Sequence, residues 1–205
     1  MIESIENAIQ IATLLVCASA ALYMAYKKSS HNWTFLFFFY GSVMMGDIYW
    51  VVYLVFLHRN PSTDFVPDLS WLASYIFLYL MIKHLYPKEI KSKISFLPWL
   101  GPVFTAGMAV FFMQWDGIFR NVVYAALDGL LLFSAIRVLT DRHISKNRRW
   151  LPWQILIYCL FEYGSWVASC FWDADSLTNP YYWFDFLMTV SFLFFLPATE
   201  KAVAE

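Results

Sequence analysis

Charge is scarce in this sequence. Asp, Glu, Lys and Arg make up 14% of its 205 residues, where a soluble domain carries about 25%, and 60% of the chain is hydrophobic. That balance excludes a soluble domain of ordinary make-up and points to a polytopic membrane protein. The net charge of −1 says little by itself, because the side on which each charge lies is what matters in such a chain. No nucleic-acid partner is expected.

Cysteine is also sparse. Cys17, Cys159 and Cys170 lie in apolar stretches with no CxxC or Cys/His spacing, which argues against a disulfide framework or a zinc motif. They read as small buried hydrophobes. His31, His58, His84 and His143 sit in loops or at helix ends and form no HExxH pair, so no metal and no cofactor is expected. There is no GxSxG elbow, P-loop or GxGxxG turn, which removes the support for a serine hydrolase or a nucleotide-driven pump. No lysine stands in the middle of the last apolar run, which argues against a retinal Schiff base. The opening MIESIENAIQ lacks the basic segment and small-residue cleavage site of a secretory signal, so the first apolar run is expected to be a retained helix.

What the chain does have is long apolar stretches. A span needs about 20 mostly apolar residues. Seven stretches qualify, at about 7–26, 33–57, 68–86, 95–114, 117–140, 150–172 and 180–198. The expectation is one all-α bundle of seven transmembrane helices, with short connections and backbone polar groups satisfied inside helices.

The basic residues set an expected orientation. Lys27, Lys28, Lys83, Lys88, Lys91, Lys93, Arg137, Arg142, Lys146, Arg148, Arg149 and Lys201 fall on one side, and Arg59 and Arg120 on the other. The positive-inside rule then puts the N-terminus outside and the C-terminus in the cytoplasm of a multi-pass plasma-membrane protein. Glu3, Glu6, Asp64, Asp68, Asp116, Asp173 and Asp175 lie outside or at the outer edge in agreement. The basic loops suit anionic lipid head groups of the bilayer. Asn32-Trp33-Thr34 matches a glycosylation sequon but faces the cytoplasm on this topology. Trp33, Trp99, Trp115, Trp150, Trp153 and Trp172 fall near helix ends, as an interfacial aromatic belt would.

Helix 4 contains Pro98, Gly101, Pro102 and Gly107 and no acid, which sets it apart as a linker. On either side of it a weak repeat is visible. Asp47, Trp50, Asn60-Pro61 and Asp68 in the first half correspond to Glu162, Trp166, Asn179-Pro180 and Asp185 in the second. Helices 1–3 and 5–7 would then form a 3+1+3 parallel repeat with the functional site between the halves.

The acids inside the apolar runs carry the functional reading. An ionisable group at that depth costs roughly 2.5–3.5 kcal/mol, so it normally faces a bundle interior or a wet cavity. Residues three, four and seven apart share a helix face. Helix 2 thus aligns Tyr40, Met44, Asp47 and Trp50; helix 3 aligns Asp68, Trp71, Tyr75 and Tyr79. Helix 5 aligns Asn121, Tyr124 and Asp128, helix 6 aligns Tyr158, Glu162, Ser165, Trp166 and Ser169, and helix 7 aligns Tyr181, Tyr182, Asp185 and Thr189. Close carboxylates cannot all be ionised in a low-dielectric site, so some hold protons or a cation sits among them.

Three functions fit that pattern. The first is binding of a small polar or cationic molecule by Asp47, Trp50, Asp68, Trp71, Tyr75, Tyr124, Asp128, Tyr158, Glu162, Trp166, Tyr182 and Asp185 in the outer half, for transport or sensing; carboxylates and ring faces both favour positive charge. The tail TEKAVAE carries no output domain, so a sensor would need a separate partner on the cytoplasmic loops. The second is an intramembrane enzyme with Asp47 and Glu162 as general acid and base on a lipid-like or isoprenoid substrate. The third is a structural or assembly subunit whose acids are fastened to tyrosines on neighbouring helices at roughly 0.6 kcal/mol per contact.

Overall fold

The computed structural model describes residues 2–57, 65–86, 95–115 and 117–204, which form seven helices and, among the described residues, no strand. They are α1 (Ile2–Lys28), α2 (His31–Val52), α3 (Phe65–Leu85), α4 (Leu100–Phe112), α5 (Ile118–Thr140), α6 (Trp150–Phe171) and α7 (Pro180–Val203). A π-helical turn, Tyr53–Leu57, prolongs α2, and a 3-10 turn, Leu97–Trp99, leads into α4. The expected loop residues His58, Arg59, Asn60, Pro61 and Asp64, with Lys88, Lys91, Lys93 and Asp116, lie outside the described residues.

Local sequence explains several boundaries. Lys27 and Lys28 close α1, where positive charge complements the carbonyl end of the helix dipole. Ser29 then adopts φ 47°. Its N–H donates to the Tyr26 carbonyl at 3.4 Å, and that of Ser30 to the Ala25 carbonyl at 3.3 Å. This is a Schellman ending made with serine in place of glycine, and α2 follows at once. At α7, Asn179 Oδ1 accepts the Tyr181 N–H at 2.9 Å with Pro180 in the first turn, satisfying a donor that the helix start leaves orphaned.

The helices run alternately. Glu3 and Asp175, and likewise Asp68 and Arg120, meet at one end. Lys28 meets Glu200, and Tyr86 meets Arg148, at the other. Of the ten described lysines and arginines, Arg120 alone lies at the first end. We call the two the acidic and the basic end.

Around the bundle the order of neighbours is α1, α2, α3, α5, α6, α7 and back to α1. The short α4 packs outside against α5, with ring contacts to α6 such as Phe104 on Tyr163. Its fit on α5 depends on glycines on both sides. A Cβ on Gly101 would stand 2.8 Å from that of Leu132, and one on Gly129 2.9 Å from Thr105 Oγ1.

Among the described residues, four stretches are long and apolar enough to cross a membrane: Ile2–Lys28, His31–Leu57, Ile118–Thr140 and Pro180–Val203. α3 and α6 have crossing length, at 21 and 22 residues, but their serines, tyrosines, tryptophans and buried acid lower their hydropathy. The Leu97–Phe112 stretch is shorter than the roughly 20 residues a span needs.

Of the six tryptophans expected at helix ends, five are exposed there and one is not. Trp99, Trp115, Trp150, Trp153 and Trp172 are all about half exposed near helix ends, whereas Trp33 is buried in the core. The α1–α2 link is so tight that Trp33 starts inside the bundle rather than at its rim. Asn32 is buried beside it, its Oδ1 within 2.8 Å of His84 Nδ1, which leaves the sequon amide tied into the fold. In the basic half, the rings of Phe39 and Tyr158 pack on each other and on those of Phe192 and Phe195 in tilted and edge-on contacts, at centroid distances of 5.0–6.0 Å. They form an aromatic plug across α2, α6 and α7.

Candidate functional site

The acids above this plug fall into three groups rather than one. The first joins α1, α2 and α7. Asp47 and Asp185 are 4% and 5% exposed, and Asp47 lies within the electrostatic field of Asp185. Glu6, on the first turns of α1, reaches the same place. Its carboxyl group is in hydrogen-bond contact with that of Asp185 and in the field of Asp47. Gln10 Nε2 donates to Thr189 Oγ1 at 3.1 Å and to Asp185 Oδ2 at 3.5 Å.

Asp47 owes its placement to a glycine. A Cβ on Gly46 would stand 2.5 Å from Trp71 Nε1, so the bare backbone lets the indole cross α2 and donate to Asp47 Oδ1 at 3.3 Å. Trp50, whose ring centroid is 6.4 Å from that of Trp71, donates to Glu3 Oε1 at 3.1 Å. Apart from that carboxyl–carboxyl contact, which needs a proton shared between Glu6 and Asp185, both oxygens of Glu6 and Oδ2 of Asp47 are shielded and receive no donor.

The second group joins α3, α5 and α6. Tyr75 and Tyr158 both donate to Glu162 Oε1, Tyr158 at 3.2 Å. Tyr163 donates to Asp128 Oδ2 at 3.0 Å. Asp128 Oδ1 and Glu162 Oε2 are buried without partners. The third group is electrostatically closed: Asp68 accepts from Arg120 at 3.2 Å and from Tyr124 at 3.1 Å. Among the described residues no lysine or arginine forms an ion pair with Glu6, Asp47, Asp128, Glu162 or Asp185.

Asp47 and Glu162, the pair an enzyme reading would use, thus sit in different groups. Asp185 acts electrostatically on both. The acid that acts most strongly on Glu162 is Asp128. Of the aromatic residues expected here, Trp166 packs on the rings of Tyr124 and Tyr163 at 5.2 and 5.1 Å. Tyr182 donates to Asp175 in the α6–α7 loop at 3.0 Å. Tyr40 donates to the Phe192 carbonyl at 2.7 Å and fastens α2 to α7 instead of meeting an acid.

Glu6, Gln10, Tyr163 and Cys159, whose sulfur lies within 4.8 Å of a carboxylate oxygen of Asp128 and of Glu162, belong to these groups but are not among the site residues the sequence suggests. The signal for the first two is present: Glu3, Glu6 and Gln10 follow helical spacing once α1 is allowed to start at Ile2. Two surface cavities lie elsewhere. One of about 340 Å³, at the basic end, is lined by Lys146, Arg149, Trp150 and Trp153. The other, of about 500 Å³, is an apolar groove between α4 and α5.

Comparison of the chain with protein-family models, curated proteins and solved structures finds no match.

Glu162 Oε1 has two tyrosine donors, which makes their contributions interdependent. Tyr75→Phe, which cuts a bond from α3 to α6, and Tyr158→Phe, which cuts one within α6, are each expected to lower stability by about 0.6 kcal/mol, the usual scale of side-chain hydrogen bonds inside membrane bundles. The double variant is expected to lose more than the sum, because only then is the carboxyl group left with no donor. Unfolding in detergent measures this, and strictly additive losses would contradict the shared clasp.

Proposed function

We propose that this chain is a seven-helix plasma-membrane protein that binds a small amine or other organic cation between α1, α2 and α7, for transport or sensing. The observation that carries this reading is the convergence of Glu6, Asp47 and Asp185 from three helices, with no described basic residue paired to them. Carboxyl groups this close either share protons or hold a cation, and a cation satisfies several of their oxygens at once. Trp50 and Trp71 stand beside the acids, and indole faces attract positive charge by about 0.5–2 kcal/mol. The aromatic plug lies on the basic side of this site, so a transporter would have to part α2 from α7 to pass its cargo.

On this reading α3, α4 and α6 also cross the bilayer, α4 by way of its 3-10 turn and flanking residues. The acidic end with the N-terminus faces outward, and the basic end faces the cytoplasm. The order of neighbours supports a 3+1+3 arrangement, since α3 against α5 and α7 against α1 are equivalent seams between two triplets. Impermeant maleimide applied to intact cells is expected to label Ser176→Cys in the α6–α7 loop and to spare Lys146→Cys; the reverse pattern would invert the topology.

For binding, thermal unfolding of the purified chain is measured with sodium, methylamine, choline and putrescine. At least one amine is expected to raise the melting temperature of the wild type and to lose that effect in Asp47→Asn, which keeps the side chain's size and its bond from Trp71. The reading fails if no amine stabilises the wild type, or if Asp47→Asn responds equally well.

A further inference from the structure

The second acidic group contains a thiol. Cys159 and Glu162 are three residues apart on α6, hence on one face, and Asp128 approaches from α5. The Cys159 sulfur and one carboxylate oxygen from each acid all lie within 4.8 Å of one another. The three side chains are 2%, 0% and 6% exposed for Cys159, Asp128 and Glu162. Each carboxylate has one oxygen held by tyrosine hydroxyls and one buried oxygen with no partner, Asp128 Oδ1 and Glu162 Oε2.

That is the arrangement metal-binding carboxylates show, where an outer hydrogen bond orients the ligand and leaves its second oxygen for the ion. The geometry points to a buried site for a divalent transition-metal ion of the zinc class, ligated by Cys159 Sγ and one oxygen each of Asp128 and Glu162. Metal–sulfur and metal–oxygen bonds of about 2.3 and 2.0–2.2 Å put tetrahedral ligand atoms roughly 3.3–3.8 Å apart, so the three atoms need to draw together by no more than about 1.5 Å on binding. The mixed thiolate and carboxylate set favours a borderline ion over magnesium or calcium, which take oxygen ligands alone. Three anionic ligands exceed the charge of the ion by one, and the hydroxyls of Tyr75, Tyr158 and Tyr163 surround that excess. Binding ties α5 to α6 and releases the protons that the free ligands carry. The inference does not rest on the amine site near Asp47, which uses other helices.

The test uses the full chain, purified in detergent, stripped with a chelator and dialysed against zinc or cobalt(II). One ion per chain is expected, and the cobalt form is expected to show a sulfur-to-metal charge-transfer absorption. That band is lost in Cys159→Ser and kept in Cys17→Ser and Cys170→Ser. Tyr163→Phe, which touches no metal but frees Asp128, weakens affinity about 10–100-fold. A wild type that takes up no ion, a cobalt form without the sulfur band, or a band that survives Cys159→Ser would each overturn the site. Should Cys159→Ser fail to fold, the wild-type spectrum and the Tyr163→Phe titration decide.

Discussion

Everything in this bundle is arranged around carboxyl groups that have been taken out of water. Each such group costs roughly 2.5–3.5 kcal/mol at the centre of an apolar helix, and Asp47, Asp128, Glu162 and Asp185 are buried, with Glu6 half-buried against Asp185, without an arginine or lysine paired to them among the described residues. The helices that carry them must therefore face inward. This accounts for α1, α2, α5, α6 and α7 in the ring, with α3 held there by the contacts of Asp68 to α5, and it fits the place of α4, which carries no acid, outside. Hydrophobicity alone would not choose between those placements, because in a bilayer both faces of an apolar helix are equally satisfied.

The compensation differs from group to group, and that difference separates fastening from binding. Asp68 has a guanidinium and a phenol, and its contacts close the α3–α5 seam. Glu162 and Asp128 are clasped by tyrosines on one oxygen only. Glu6, Asp47 and Asp185 chiefly face each other, with an indole and one glutamine as their neutral partners. The less a carboxyl group is satisfied by the protein, the more an ion or a protonated ligand gains by arriving. On the two proposals made above, the ranking runs from Asp68 as structure, through the α5–α6 pair as a metal ligand set, to the α1–α2–α7 cluster as a site for exchangeable cations.

Much of this was legible in the sequence because its strongest signals are one-dimensional. Seven apolar runs give seven helices, and the boundaries at Ile118–Thr140 and Trp150–Phe171 fall within a residue or so of expectation. The stripe of Asp47 and Trp50 and that of Tyr158 and Glu162 do face the interior. What sequence could not convey is which stripes meet. Glu6 looked like an exposed terminal acid because α1 was expected to begin at residue 7, where the apolar run starts; the polar first turns are helical because Asp185 and Trp50 receive their acids. Asp47 and Glu162 share a stripe type but not a neighbourhood, since Trp71 leans across Gly46 to one and Tyr75 reaches the other. Trp33 has the sequence position of a belt residue, yet a two-residue link folds it into the core. Pairings across helices depend on such particulars of packing, which no periodicity encodes.

The central claim is that the cluster of Glu6, Asp47 and Asp185 receives positive charge directly. Solid-state NMR on the chain in lipid, with nitrogen-15 methylamine and carboxyl-carbon-13 aspartate, measures the dipolar coupling between amine nitrogen and aspartate carbon. The account predicts a coupling at contact distance in the wild type that disappears when Asp47→Asn and Asp185→Asn are combined. Absence of coupling at saturating amine, or a coupling that persists in the double variant, would contradict it.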